Sequence, residues 1–543
     1  MPHRTPVYIS AILVMVSLAC KMGLDLSTET PLPAGPVDFY VSPLGSDDNH
    51  CTSLQFACPS ITAAAARSRP GDRILVAPGV YTRESHPTEG GGQEGLILIQ
   101  DLTILGSSAA DTIIDAGGLH SGIVIRDGAN VNIQNITVRN AGGNSPYGVV
   151  VLDGSFLELE NSVVQENANI GIWVKHANIS ITGVTVTQNG AALPNNTATA
   201  AGILNEGGQV SITNSSIEGN YNGGIFNTEG AVLNVIHSAV ANNSGGLPGI
   251  TNLGEAVISR SGIYANRSTF LTGPTSGIEN RGSMQIDSSH ISQNQGGGIN
   301  NLEASLSLSY VTIAFNEKAG LYAAGPQVRV SNSIIAGHTE RDCVLDPEQG
   351  IILADANLDS DGTCGFPKTA PPTEILFEVM EGYGDFIPQF GLAVESPAIN
   401  AAAGPCVPQD LRGIDRPQGS ACDLGAFEVE EVLIVSTLPA PTATSETPAA
   451  GLTALPAPPV VVTARDVLCL EGPGSWYAIV SAISEEVAVN EIARGADPAW
   501  VVVDNPRYPG RSCWLQINDL ANLPLFPISF PVAPVPPTPT PGG

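Results

Sequence analysis

Short apolar strands recur along the chain at two places per repeat, each with alternating inward and outward positions. In one ladder a glycine opens the strand: Gly122-Ile123-Val124-Ile125, Gly148-Val149-Val150-Val151, Gly171-Ile172-Trp173-Val174, Gly202-Ile203-Leu204-Asn205 and onward to Gly320-Leu321-Tyr322-Ala323. Successive ladder glycines stand 21 to 31 residues apart. A second ladder lies between these copies. Leu157-x-Leu159 is followed by Asn167, Ile179-x-Ile181 by Asn189, Val210-x-Ile212 by Asn220, and the series ends with Val328-x-Val330 and His338 in place of Asn. A period of twenty to thirty residues with two-residue alternation predicts a solenoid. Each coil then advances by one strand spacing, about 4.8 Å, and pairs its backbone with the coils on either side. The pattern predicts an all-β, right-handed, single-stranded parallel β-helix of about ten coils over residues 95–338. Asn suits the recurrent turn because it tolerates left-handed backbone and can hydrogen-bond its stacked copy.

The flanks divide by composition. Residues 1–20 read as an export signal: His3 and Arg4, an apolar run from Val7 to Ala19, then Cys20. That run is too short to span a bilayer. Residues 21–37 form a flexible leader. Residues 38–94 hold a short strand and an Ala-rich helix with Ser60 as N-cap, suited to covering the open first coil. Residues 339–430 are placed to cap the other end. A Pro/Ala/Thr linker (431–464), a small module (465–520) and a proline-rich tail (521–543) follow.

Charge and cysteine narrow the class. Formal net charge is −30, which repels phosphate backbones and excludes nucleic acid as a partner. Eight of nine cysteines fall into local pairs: Cys51 with Cys58, Cys343 with Cys364, Cys406 with Cys422, and Cys469 with Cys513. This pairing by proximity suits an oxidising compartment.

Several stretches resemble known families. Ser17-Leu18-Ala19-Cys20 resembles a bacterial lipobox, with Ser17 where a branched apolar residue is usual. The resemblance implies lipidation of Cys20; an ordinary cleaved signal is the alternative. Gly223-Gly224-Ile225-Phe226-Asn227 and Asn214-Ser215-Ser216-Ile217-Glu218-Gly219-Asn220 are similar to phrases of bacterial β-helix proteins of the pectin-lyase-like fold. Asn332 to Gly337, Asp342-Cys343, Ser360 to Phe366, Ser396 to Asn400, Asp410 to Gly413, Arg416 to Gly419 and Cys422 to Glu428 resemble the cap of bacterial surface proteins of the choice-of-anchor type. Cys469, Gly472-Pro473-Gly474, Tyr477, Arg494-Gly495, Trp500 to Val503 and Cys513 to Leu515 resemble a bacterial SH3-like domain, a small β-barrel linked to cell-wall or peptide binding. Glu471 stands near where members of that family carry Arg.

The fold hosts polysaccharide lyases and hydrolases, which need a base near cation-binding carboxylates, or paired carboxylates. The basic residues of the coils, among them Arg126, Lys175 and Arg281, look scattered, and His176, His237 and His290 share no offset. Glu206, Glu229, Glu279 and Glu303 follow the Gly-Ile phrase in separate coils. They are candidates for a glycan- or cation-binding column, or for a solvated turn face. Asp355-x-Asn357-x-Asp359-x-Asp361-Gly362 is loosely like a calcium loop without its terminal Glu, and no metal or cofactor is expected. Trp476, Tyr477, Trp500 and Trp514 are candidates for a groove in the SH3-like module, or for its core. The leading expectation is a monomeric, exported, lipid-anchored surface scaffold or adhesin-like protein with a polysaccharide or cell-wall ligand and no catalytic residues. The alternative is a carbohydrate-active enzyme working in the β-helix groove.

Overall fold

The computed structural model describes residues 35–429 and 460–520 apart from short stretches within them, the longest being 192–201, 381–388 and 471–478. Two compact units are present: Met1–Phe377 with Gly391–Val429, and Glu378–Phe390 with Glu430–Gly543.

The first unit is a parallel β-helix. Each coil contributes three strands, not two, to three long parallel sheets of 13, 13 and 11 strands. The coil from Val149 shows the plan. Val149–Leu152 lies in sheet 3, Phe156–Glu160 in sheet 1 and Val163–Gln165 in sheet 2. The glycine ladder is sheet 3 and the second ladder is sheet 1. Sheet 2 is the added one, made of strands as short as Thr185–Thr187 and Ser216–Glu218. Register is strict, with Leu157 beside Ile179 and Ile179 beside Val210. Inward side chains of all three sheets form one continuous core in which Leu157, Leu159, Ile181, Ile212, Val235 and Ile258 are fully buried.

Coils extend past both expected boundaries. Asp38–Val41 and Asp72–Val76 are the first strands of sheet 1. The helix Ile61–Ala65 turns Ile61 and Ala64 into the open end of the core, and Ser60 Oγ accepts the Ala63 amide at 3.1 Å. At the far end Cys343–Leu345, Leu358–Asp359 and Lys368–Thr369 continue the ladders, and Cys364 and Phe366 close the core.

The Asn column is buried, and its residues do not adopt the left-handed backbone. The preceding residue does, as at Glu166, Gln188, Asn242 and Gln293. Left-handed Asn instead occupies the corner between sheets 1 and 2, at Asn161, Asn214 and Asn332. Freed from the turn, the buried amides form a ladder. Nδ2 of Asn189 donates to Oδ1 of Asn220, Asn220 to Asn243, Asn243 to Asn266, and Asn266 to Asn294, each at 3.0 Å. A second ladder runs inside sheet 3 through Asn205, Asn227, Asn252, Asn280 and Asn301. The first ladder also explains a ladder glycine. A Cβ on Gly148 would lie 2.6 Å from Asn167 Nδ2 and 2.6 Å from Gly171 O.

Residues 396–429 run along the side of the β-helix. The Gln409 carbonyl accepts from Ser288 Oγ at 2.9 Å, Asn332 Nδ2 donates to Ala403 O at 3.0 Å, and the Ala426 amide donates to Thr312 Oγ1 at 2.9 Å. A buried ionic knot ties this strap to itself. Arg416 pairs with Glu428 at 2.9 Å, both almost fully buried, and Asp410 binds Arg412 and the Glu428 amide. Burial raises the Glu428 and Asp423 carboxyls above their ordinary values and lowers Arg416.

The second unit holds a six-stranded sheet whose core side carries Val501, Val503, Cys513 and Leu515. All four expected disulfides are formed.

Candidate functional site

The outward side of sheet 3 gathers the side chains that could act on a ligand. Alternation turns every second residue of a strand outward. Counting from the ladder glycine, the second residue forms one outward column and the fourth another. The first column runs Val124, Val150, Trp173, Leu204, Phe226, Thr251, Glu279, Asn300 and Tyr322, each beside the next in register. The second holds Leu152, Lys175 and Glu206 in register. Arg126 and Arg281 take the same place four residues after Gly122 and Gly277. Three of the basic residues that look scattered in sequence therefore share one column.

Trp173 is the centre of this face. Its ring lies 5.0 Å from that of Tyr147, centroid to centroid, at a tilt of 53°. The Lys175 ammonium sits 5.6 Å from the Trp173 ring centroid. The indole Nε1–H donates to Glu206 Oε2 at 3.1 Å, and Lys175 Nζ lies 3.4 Å from Glu206 Oε1. Four side chains from three coils thus hold one another, while Trp173, Lys175 and Glu206 all remain half-exposed. A cation near an indole and an N–H on a carboxylate fix ring orientation, which lowers the cost of binding a flat ligand surface. Phe226, two coils on, is also half-exposed, and Tyr322 is 40% exposed. Farther along, Arg281 Nε donates to Glu279 Oε1 at 2.8 Å.

The four glutamates do not stack into one column. Glu206 is in register with Lys175, and Glu279 is in register with Thr251 and Asn300. Glu229 and Glu303 lie beyond the strands Ile225–Asn227 and Ile299–Leu302, at exposed positions. The offset from glycine decides this: two for Glu279, four for Glu206 and five for the other pair. The histidines occupy unrelated places. His176 is an exposed left-handed turn residue, His237 bonds Asn214 Oδ1 at 2.7 Å, and His290 is buried in sheet 2. Burial, then Arg260, lowers His237 below the usual histidine range.

The calcium-like stretch serves the β-helix end. Asn357 Oδ1 accepts the Ser333 amide at 2.9 Å, Asp359 takes the Cys364 amide and the Thr369 hydroxyl, and Asp361 takes Thr363 and the Asp342 amide. Asp355 lies outside the described residues, as do Cys20, Trp476 and Tyr477. Among the described residues no group of three or more His, Cys, Asp or Glu is placed to hold a metal ion. Trp514 and Trp500 pack with Ala493 and Val502 on the side of the small sheet away from its main core.

No protein-family model and no curated protein matches the chain. Among solved structures it is similar to pectate lyase Pel9A, with 16% identity, TM-score 0.48, and 73% of this chain and 97% of that one covered. It is also similar to the A-module of the Azotobacter vinelandii mannuronan C-5 epimerase AlgE4 (14% identity, TM-score 0.35, 55% and 87% covered). A rhamnogalacturonan lyase gives 11% identity and TM-score 0.33, with 64% and 91% covered. These likenesses concern the coiling of the chain alone. The three-sheeted coil is that of a parallel β-helix.

Proposed function

We propose that this is an exported carbohydrate-directed protein whose β-helix holds a polysaccharide chain along the outward side of sheet 3. The observation that carries the reading is the Tyr147–Trp173–Lys175–Glu206 cluster, a braced aromatic platform flanked by groups that donate to and accept from hydroxyls. Each coil offers the face a new row about every 4.8 Å, close to the length of one extended pyranose ring. Successive rows therefore meet successive sugars. The sequence raises two expectations, a surface scaffold or adhesin-like protein with a polysaccharide or cell-wall ligand and a carbohydrate-active enzyme working in the β-helix groove, and this face supports contact with carbohydrate in either. The four disulfides fit an extracellular setting. Cys20 is the proposed lipid anchor, and Trp500 and Trp514 mark the second unit as the proposed wall-binding module.

A second reading, chain cleavage, is favoured by one contact: Glu206 and Lys175 place an acid and a base 3.4 Å apart beside the platform. Affinity electrophoresis of the intact protein in gels containing soluble polysaccharides tests the first reading. Retardation by at least one polymer, lost in Trp173→Ala, is the expected outcome; equal mobility of wild type and variant in every gel overturns it. Reducing-end and unsaturated-product assays on the retarding polymer test the second, and product formation abolished by Glu206→Gln is its signature.

A further inference from the structure

The glycan on this face, granting the reading just proposed, is identified further by how the face is charged. Each cation in the column four residues after the ladder glycine has a carboxylate partner beside it. Lys175 lies 3.4 Å from Glu206, Arg281 2.8 Å from Glu279, and Arg126 4.0 Å from Asp127. The surrounding solenoid is acidic: residues 95–338 carry sixteen Asp and Glu against eight Lys and Arg, and the whole chain has a net charge of −30. A polyuronate brings one negative charge per sugar. In that column, beside Trp173, it would find only cations already neutralised, and it would approach through a repelling field. Salt within the Debye length weakens that repulsion without creating an unpaired cation.

A neutral sugar faces none of these costs. The C–H face of a pyranose packs on an aromatic ring, and its hydroxyls both donate and accept. A carboxylate held by an indole N–H and an ammonium, and a guanidinium held by a carboxylate, are fixed donors and acceptors of that kind. Trp173 and Phe226 are two coils apart in one column, with Leu204 between them. That spacing, about twice 4.8 Å, matches two sugars of an extended chain presenting the same face to both rings.

We infer that the ligand of the Trp173 face is a neutral glycan, recognised by stacking on Trp173 and Phe226 and by hydroxyl contacts to the Lys175–Glu206 and Glu279–Arg281 pairs. The chemistry has a consequence for reaction type. β-Elimination needs a carboxyl or its ester at C5 to acidify the C5 proton, so a neutral chain free of esterified uronates leaves binding or hydrolysis at this face.

The test uses the intact protein and titration calorimetry. The probes are xylohexaose, cellohexaose, mannohexaose and chitohexaose, with polygalacturonate and alginate oligomers as the acidic arm, each at low and high sodium chloride. The expected result is binding of at least one neutral hexasaccharide, unchanged by salt and weakened about tenfold or more in Trp173→Ala, with no binding of the acidic oligomers. Glu206→Gln is isosteric and leaves Lys175 without its acid. It should acquire a salt-sensitive affinity for the acidic oligomers, and circular dichroism of both variants verifies the fold. Trp173-dependent binding of an acidic oligomer in preference to every neutral one, weakening with salt, overturns this inference and leaves the polysaccharide reading standing. Absence of any Trp173-dependent binding overturns both.

Discussion

Two sides of the same β-helix have opposite fates. The outward side of sheet 3 keeps Trp173, Phe226 and Tyr322 accessible and joins its charges in half-exposed pairs such as Lys175–Glu206. The corner between sheets 1 and 2, and the nearby face of sheet 2, are covered by the strap of residues 396–429. There the outward residues are small or fully buried: Thr312, Ala314, Ile334 and Ala336. Gly425 approaches so closely that a Cβ would lie 2.5 Å from Thr312 Oγ1. The backbone repeat is the same on both sides. What differs is which residue types occupy the outward offsets, so a solenoid assigns cover or access by side chain and not by chain path. Charge follows the same division. A half-exposed pair is worth little to stability, whereas a buried one becomes costly when halved.

That contrast can be broken at its strongest point first. Arg416→Met leaves Glu428 and Asp423 buried beside a missing cation and should destabilise the β-helix unit by about 3–5 kcal/mol. Chemical denaturation measures this. Glycan binding by the protein that remains folded should be unchanged, and loss of binding in step with stability would show that the two sides are not separable. An intermediate effect is expected inside, between the two sides. Asn243→Ala removes one rung of the buried ladder, leaving the Asn220 amide and the Asn266 oxygen short of a partner. The cost is about 1–3 kcal/mol, read as a lower midpoint of unfolding. Smallest is the response of the strap to mild acid. Glu428 and Asp423 hold protons more tightly folded than unfolded, because burial raises both. The folded state therefore binds more protons between the ordinary carboxylate range and the raised values, and stability falls as pH rises through that window. Amide exchange in residues 410–428 should slow as pH is lowered from neutral into that window, after correction for intrinsic rates. Glu428→Gln should flatten the dependence, and faster exchange in mild acid would contradict the assignment.

Much of the fold is legible in the sequence because the core dictates it. Gly-Ile-x and the x-Ile-x-Ile alternation fix sheets 3 and 1, and the spacing to the next Asn fixes their register. Sheet 2 escapes notice because its strands expose only one inward residue, such as Val186 or Ile217, between small polar neighbours. The conformation of the Asn column is misjudged for a related reason. Side-chain preference points to a left-handed turn, but the ladder bond across coils wins and moves the turn one residue earlier. The candidate site is harder still. Lys175 and Glu206 meet only when coils are stacked, and Arg126 and Arg281 take the same place in other coils. Their common distance of four from the ladder glycine, and the aromatic residues at distance two, are the signal that was present. Asp410, Arg412, Arg416, Asp423 and Glu428, spread over several short phrases in the sequence, are the members of the buried knot.

The first Asn ladder ends on a different ring. Asn316 Nδ2 lies 3.2 Å from His338 Nε2, and His338 Nδ1 lies 2.9 Å from Asp342 Oδ1. Every amide in the column donates in the same sense, from Asn167 toward Asn316, and His338 stands where the next Asn of the ladder would be. The column therefore has a polarity: reversing one amide would set oxygen against oxygen on one side and N–H against N–H on the other. Orientation is shared by the whole row, so the direction of a hydrogen bond in one coil is tied to that of hydrogen bonds many coils away.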